Sequence, residues 1–416
     1  MKTKYIVVRE AYDWLSVGSS ITELISIEFN SVCNYLKTRN LTNAVRYGFN
    51  RIKFINYVGI ISVGNLVIEI LPKISITNDI VKDRKMLMFM LSKCNKISVN
   101  INEAIETSIV SQSLLDILAK IFTKKLLLEL QKGLYLEYVT QEDSLNKIKG
   151  KVMLTQNAKV NYINKSKVYC RYDEFTENNT FNSILLRTTN LLLSVINNSN
   201  VKKELNIIKS ILNDVDDIYI PLAMLENYKL NKNNERFKEA FILAKLILNN
   251  STMNKSLGKE NGFSILFEMN YLYEEYIGIL LKETIEDESI TVNTQEKSKY
   301  LLHNKNTGRN EIALKPDIVI YKDNKPKIII DTKWKSASLD GRERYSQGDI
   351  YQMYAYITTY KECEECILLY PKINEDVVHS TWSLNSDFGD KKIVVREVSL
   401  GNYGDTKREL IKLYDH

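Results

Sequence analysis

The stretch EIALKPDIVIYKDNKPKIIIDTKWK, residues 311–335, decides the reading of this chain. It holds two β-branched apolar runs, Ile318–Ile320 and Ile328–Ile330, joined by the turn-forming segment KDNKP, which predicts a hairpin. Pro316-Asp317 opens the first run. After thirteen intervening residues Asp331 closes the second, followed by Thr332 and Lys333. A hairpin brings the two acids side by side, and residues two apart on a strand face the same way, so Asp331 and Lys333 point together. Two carboxylates and an ammonium then converge. Hard carboxylate oxygens suit Mg²⁺, which keeps several waters, acidifies them and offsets charge on a phosphate under attack. A nearby lysine stabilises the charge that develops. The competing reading is a surface hairpin with scattered charges, since D-x-K recurs by chance. Against it, Asp331 ends a buried run, where an unpaired charge is costly.

Outward from this hairpin the pattern is α-β-β-β-α-β. A helix is expected over 263–285, strands over ESITVN, EIALKPDIVIY and KPKIIIDTKW, a helix over 348–361, and a strand at CILLYP. Gln352 and Tyr356 lie one turn apart on the second helix, able to support the acids. On the first helix Glu274 and Glu275 are adjacent and point about 100° apart, so only one can face the sheet; periodicity leaves open which.

Upstream, residues 1–75 read as strands around one helix, with Gly59 and Gly64-Asn65 as turns. Residues 80–250 read as mainly helical, with a polar, turn-like stretch around Gly150 and a helix from about 178 capped by Asn179 or Thr180. The stretch 251–262 is the best linker candidate. The expected fold class is thus α+β and multidomain. A β-rich N-terminal domain (1–105) precedes a helical middle region (106–255) and a C-terminal α/β domain (256–416) with a mixed sheet flanked by helices.

Composition narrows the chemistry. The 416 residues carry 57 Lys and Arg against 51 Asp and Glu, a net charge of +6, which permits a nucleic-acid surface without demonstrating one. Only three histidines occur, His303, His379 and His416, so a His-rich zinc site is excluded. The five cysteines are odd in number and scattered, which fits a reducing compartment, and Cys363-x-x-Cys366 reads as two half-buried thiols. Arg9 and Glu10 stand where a signal peptide needs an apolar core, and no run reaches the ~18 apolar residues of a membrane span. A cytoplasmic protein with no membrane partner is expected.

The segments FEMNYLYEEY (267–276), LKPDIVI (314–320), IIDTKWK (329–335) and DIYQMYAY (349–356) resemble the PD-(D/E)xK nuclease domain of the McrC family. McrC is the endonuclease subunit of McrBC modification-dependent restriction systems. The upstream blocks 58–74, 133–152 and 170–189 are similar to McrC's N-terminal and middle regions, in the same order. The resemblance implies a C-terminal restriction-endonuclease-like domain. It implies Asp317 and Asp331 as Mg²⁺ ligands, Lys333 as the catalytic lysine, Gln352 as a supporting amide and Glu274 as a helix-borne acid. It further implies a type IV endonuclease that cuts DNA, methylated and double-stranded, when coupled to a McrB-like AAA+ ring whose GTPase it stimulates. The chain has no G-x-x-x-x-G-K-[ST]; Gly258-Lys259 is followed by Glu260. GTP is therefore expected on the partner. Lys147, Lys149 and Lys151, around Gly150, are the expected contact with that ring, against a plain solvated loop. Lys335, Arg342 and Arg344 lie near the site in sequence but are indistinguishable there from solvated bases. The alternatives are a non-catalytic GTPase-activating adaptor, or a nuclease of a McrBC-like system triggered by a specific unmodified sequence.

Overall fold

The computed structural model describes residues 4–18, 20, 23–72, 79–97, 113–249, 251–252, 262–339, 342–343, 345–373, 379–384 and 389–414. The chain divides into two compact units: Met1–Leu114 together with Thr252–His416, and Leu115–Ser251. Three consecutive domains are therefore not what forms. The N- and C-terminal thirds build one unit because strands distant in sequence pair across them.

Two larger sheets organise that unit. In the first, β1 (Lys4–Arg9) runs parallel to β3 (Leu66–Leu71), which pairs antiparallel with β2 (Tyr57–Val63). β4 (Gly262–Glu268) pairs antiparallel with β2. The helix α1 (Ser26–Thr38) covers the sheet, burying Val32, Tyr35 and Leu36 among Ile6, Ile61 and Ile68. Gly64 makes the expected turn (φ 58°), but Gly59 does not. Gly59 lies inside β2 at φ 132°, where a Cβ would sit 2.0 Å from the carbonyl oxygen of Ile265, so only glycine lets β4 approach.

The helix expected over 263–285 begins as a strand. Residues 262–268 form β4, and α3 spans Met269–Thr284; α2 is Ile80–Lys93. A short apolar run is ambiguous between helix and strand, and here pairing with β2 decides it. The expectation of a self-contained C-terminal domain from 256 falls with it, since β4 belongs to the N-terminal sheet.

The second sheet is mixed. Its strands are β5 (Ile290–Thr294), β6 (Ile318–Lys322), β7 (Lys325–Thr332), β8 (Glu365–Pro371), β9 (Thr381–Ser383) and β10 (Lys392–Val398), in the order β5-β6-β7-β8-β10-β9. β5, β6 and β7 are antiparallel, while β7, β8 and β10 run parallel. Asp323 and Asn324 carry the β6–β7 turn in left-handed backbone (φ 53° and 61°), as a type I′ hairpin requires. On one face α4 (Gln347–Thr359) packs Met353, Tyr356 and Ile357 onto Val319, Ile329 and Leu368. α3 lies against β7 and is flanked by α2 and α5 (Tyr403–Ile411).

The unit Leu115–Ser251 combines helices with a three-stranded sheet. Among its helices are Thr180–Val195, Ser199–Ile211 and Lys238–Asn249, and Phe181 meets Phe237 and Phe241 in its core. Asn179 caps the first of these by accepting the N–H of Asn182. The sheet, from Glu137–Leu145, Val168–Thr176 and Lys151–Val152, corrects the reading of this region as helical with a turn-like stretch. Tyr138 and Phe175 lie opposite each other on the exposed face while Glu137 and Gln141 lie on the half-buried one, so no apolar–polar alternation marks the strand. Among the described residues no helix is long and apolar enough to cross a membrane. The linker candidate falls largely outside the described residues, at 253–261, as do residues 73–74 of the block 58–74 and residues 98–112 of the region expected to be mainly helical.

Candidate active site

The β6–β7 hairpin assembles the site. Ile318 pairs with Ile330, so Asp317 and Asp331, one step further, leave the ladder side by side. The Asp317 carboxylate accepts the Thr332 backbone N–H (2.7 Å) and the Thr332 hydroxyl (2.8 Å). Asp331 is 1% exposed. Its Oδ1 accepts from the Gln352 amide at 3.0 Å, and its Oδ2 is ion-paired with Lys333. The Lys333 ammonium also donates to Gln352 Oε1 (3.2 Å) and lies 3.9 Å from Asp349. Gln352 thus touches the acid through its nitrogen and the lysine through its oxygen. Its amide also donates to the Tyr356 hydroxyl (2.8 Å), which donates to the Lys315 carbonyl (3.0 Å).

Electrostatics follow from burial and crowding. Burial, then the charge of Asp317, pushes Asp331 up to about 7 despite Lys333. Burial also raises Asp317, against the pull of Thr332 and Lys333. Burial works to lower Lys333, but Asp331, Asp349 and Asp317 outweigh it and hold the ammonium charged.

α3 turns Glu274 toward this group. Burial and then Asp317 raise its carboxyl, and Gln295 donates to it at 2.9 Å. Glu275 points elsewhere, into an ion pair with Lys96 (2.7 Å). Gln295 itself sits in left-handed backbone (φ 52°) and donates its N–H to the Asp317 carbonyl (2.8 Å), tying Glu274 to Asp317.

Two crowded, buried carboxylates whose protons are held abnormally tightly fit a divalent cation, because such an ion would relieve the repulsion that raises them. As placed, no group of three His, Cys, Asp or Glu side chains among the described residues is close enough to hold a metal. Two protein ligands with waters is the arrangement Mg²⁺ tolerates best.

Sequence reasoning passed over Thr332, Asp349, Gln295, Glu10 and Trp334. Asp349 was legible as the N3 acid after the N-cap Ser346, whose Oγ accepts its N–H (3.1 Å). Lys335 pairs with that Asp349 (2.6 Å). Arg344 lies outside the described residues. Lys149 is exposed; it pairs with the equally exposed Glu174 (3.4 Å) and sits over the Tyr172 ring (4.0 Å), with Lys151 in register opposite Arg171. Cys363 and Cys366 are fully buried rather than half-buried.

Against known proteins, the chain matches the family model described as McrBC 5-methylcytosine restriction system component over residues 52–371, more than half its length. It is similar to the type IV methyl-directed restriction enzyme EcoKMcrBC of Escherichia coli K12. The two are 23% identical over 295 residues, which take in 67% of this chain and 83% of that protein. Among solved structures it resembles a chain of the Thermococcus gammatolerans assembly described as McrB AAA+ hexamers with bound McrC. The TM-score is 0.72 at 18% identity, over 98% of this chain and 100% of that one. A cryo-EM structure of the T. gammatolerans McrBC complex aligns at a TM-score of 0.52 and 19% identity, over 68% of this chain and 88% of that one. At these identities the structural likeness carries the fold.

These matches correct the narrower reading of the sequence. They carry the McrBC family, and the assembly matched in fold is described by its McrB AAA+ hexamers, with McrC as what is bound to them. The identification with McrC gives way to the coarser one of an McrBC component. The assignment of 256–416 to a separate PD-(D/E)xK domain is corrected with it, as is the function of an endonuclease subunit stimulating a McrB-like partner's GTPase.

Proposed function

Because the chain belongs to the McrBC 5-methylcytosine restriction system component family, we propose that the Asp317–Asp331–Lys333 site hydrolyses DNA phosphodiester bonds within a type IV restriction system, with Mg²⁺ as cofactor. The observation that carries this reading is the placement of Lys333, ion-paired with the buried Asp331 and hydrogen-bonded to Gln352, beside Asp317. Asp317 and Asp331 would hold the ion. When bound, it supplies charge compensation at the phosphate and acidifies a water. Thr332 fixes one Asp317 oxygen, which leaves the other for the ion. Gln352 keeps Asp331 and Lys333 in register, so the ammonium can meet the negative charge that develops on the phosphate oxygens. Glu274, near Asp317 and holding its proton more tightly than an ordinary carboxyl, is suited to orient or deprotonate the attacking water.

GTP we assign to another subunit of the assembly, because the sequence contains no G-x-x-x-x-G-K-[ST]. The Lys147–Lys151 turn is our candidate contact for that subunit. The sheet that presents it exposes Tyr138 and Phe175 to solvent, their tilted rings with centroids 5.0 Å apart.

The test is cleavage of methylated duplex DNA by the complete assembly, with Mg²⁺ and with EDTA, alongside a Lys333→Ala chain. Cutting should require the metal and fall at least about a hundredfold in the variant. Wild-type rates in EDTA or in Lys333→Ala would overturn the reading. GTP captured by this chain alone would move nucleotide binding onto it.

A further inference from the structure

The N-terminal sheet reaches the site through two polar residues that the hydrolytic chemistry does not use. Glu10, just after β1, is 4% exposed. Its Oε1 accepts the indole N–H of Trp334 (2.8 Å) and its Oε2 accepts the backbone N–H of Asn56 (3.1 Å). Trp334 follows Lys333 directly, and its ring packs on Tyr273 with centroids 5.4 Å apart; Tyr273 precedes Glu274.

Asn56 completes the junction. Its backbone is left-handed (φ 61°), a conformation asparagine tolerates better than most residues. Its carbonyl accepts the N–H of Met269 (2.8 Å) and its Oδ1 the N–H of Asn270 (3.0 Å). Its Nδ2 donates to Glu268 (3.1 Å). Met269 and Asn270 are the first two residues of α3, so Asn56 satisfies the open N-terminus of the helix that carries Glu274. All of its polar groups are engaged, on both sides of the site.

We propose that Glu10 and Asn56 are positioning residues that hold the Lys333 end of β7 and the Glu274 end of α3 in one geometry. The N-terminal sheet is then part of the hydrolytic scaffold. This deepens the reading above and rests on it. The physical logic is that of supporting contacts: a site is productive only where the groups behind the reacting ones fix their orientation, and losing such a partner costs metal affinity or rate while the fold survives. Glu10 is well suited, because burial already works against its charge and two N–H donors hold it in place.

The experiment is Glu10→Gln in the full chain. The amide keeps the volume but offers one acceptor where two N–H groups need one each, so one contact is lost. Three readouts apply: the ¹⁵N–¹H indole signal of Trp334, one of three tryptophans; affinity for Mn²⁺ as the probe metal; and kcat and KM for DNA in the assembly. The Trp334 signal should move, Mn²⁺ binding should weaken several-fold, and kcat should fall about tenfold with KM changed less than about twofold. If Glu10→Gln fails to fold, Trp334→Phe removes the same hydrogen bond from the other side. A moved indole signal with wild-type Mn²⁺ affinity and kcat overturns the proposal, as does an unmoved signal. Wild-type chain that neither binds Mn²⁺ nor cuts DNA sinks the hydrolase reading and this inference together. Wild-type activity with an equally active Glu10→Gln sinks this inference alone.

Discussion

Asp317 accepts both the backbone N–H of Thr332 (2.7 Å) and its hydroxyl (2.8 Å), which pins the acid of one strand to the residue between the acid and the lysine of the next. The backbone contact would form with any residue. The hydroxyl contact needs Ser or Thr, and it orients a carboxylate that burial makes reluctant to ionise.

Thr332→Val removes that hydroxyl at nearly constant volume. Stability should drop by about 1 kcal/mol, and DNA cleavage by roughly tenfold. Thr332→Ser should recover most of the rate. Urea unfolding and initial cleavage rates measure the two effects, and a Val variant as fast as wild type would remove Thr332 from the site.

Gln352 bridges Asp331 and Lys333 through opposite ends of one amide. Gln352→Glu replaces a donor to Asp331 with a third acid, while Gln352→Leu loses both contacts. Both should cut at least tenfold more slowly, with the fold intact by circular dichroism. In Gln352→Glu the third carboxylate adds to the repulsion that a cation relieves, so Mg²⁺ should bind more tightly, seen as a lower Mg²⁺ concentration at half-maximal rate.

Asp331 titrates at about 7 in the folded chain, against an ordinary value near 4 in the unfolded one. Between those values the folded state keeps a proton that the unfolded state has lost. Stability contributed by this group is therefore fully present below about pH 4 and lost as pH rises to about 7. Without metal, Asp331→Asn should be more stable than wild type at pH 8 by roughly 2–4 kcal/mol, and no more stable near pH 4. Adding Mg²⁺ should stabilise wild type and leave the variant unmoved. Denaturant melts at two pH values, with and without Mg²⁺, check each sign.

Between α2 and the N-terminal sheet, Arg84 and Glu69 form a buried double hydrogen bond (2.8 and 2.7 Å), with Tyr5 and the Leu114 N–H also donating to Glu69. Arg84→Met strands a carboxylate that is 0% exposed and should cost about 3–5 kcal/mol. Replacing Arg84 and Glu69 together by apolar residues should cost less than that single change, as a urea midpoint would register.

The reach of the sequence follows from which interactions are local. Asp317, Asp331 and Lys333 were legible because a hairpin is a short-range object: two β runs, a turn and a period of two suffice. The β4–β2 pairing joins residues some two hundred positions apart, and a seven-residue apolar run carries no mark of its partner. Gly59 looked like a turn because its role, admitting the Ile265 carbonyl, exists only once β4 is in place. Glu274 and Glu275 could not be separated by periodicity; Lys96 and Gln295, on other elements, separate them. Glu10 read only as a charge that interrupts an apolar run, since Trp334 lies 324 residues away.

The central claim is that Asp331 and its neighbours hydrolyse DNA with a divalent metal. The most direct measurement is cleavage of methylated duplex by the full assembly carrying Asp331→Ala, with folding and assembly checked by melting temperature and size-exclusion chromatography. The site as described predicts a folded, assembled chain with cleavage lowered by at least about a thousandfold at saturating Mg²⁺. Cleavage within about threefold of wild type in that chain would contradict it.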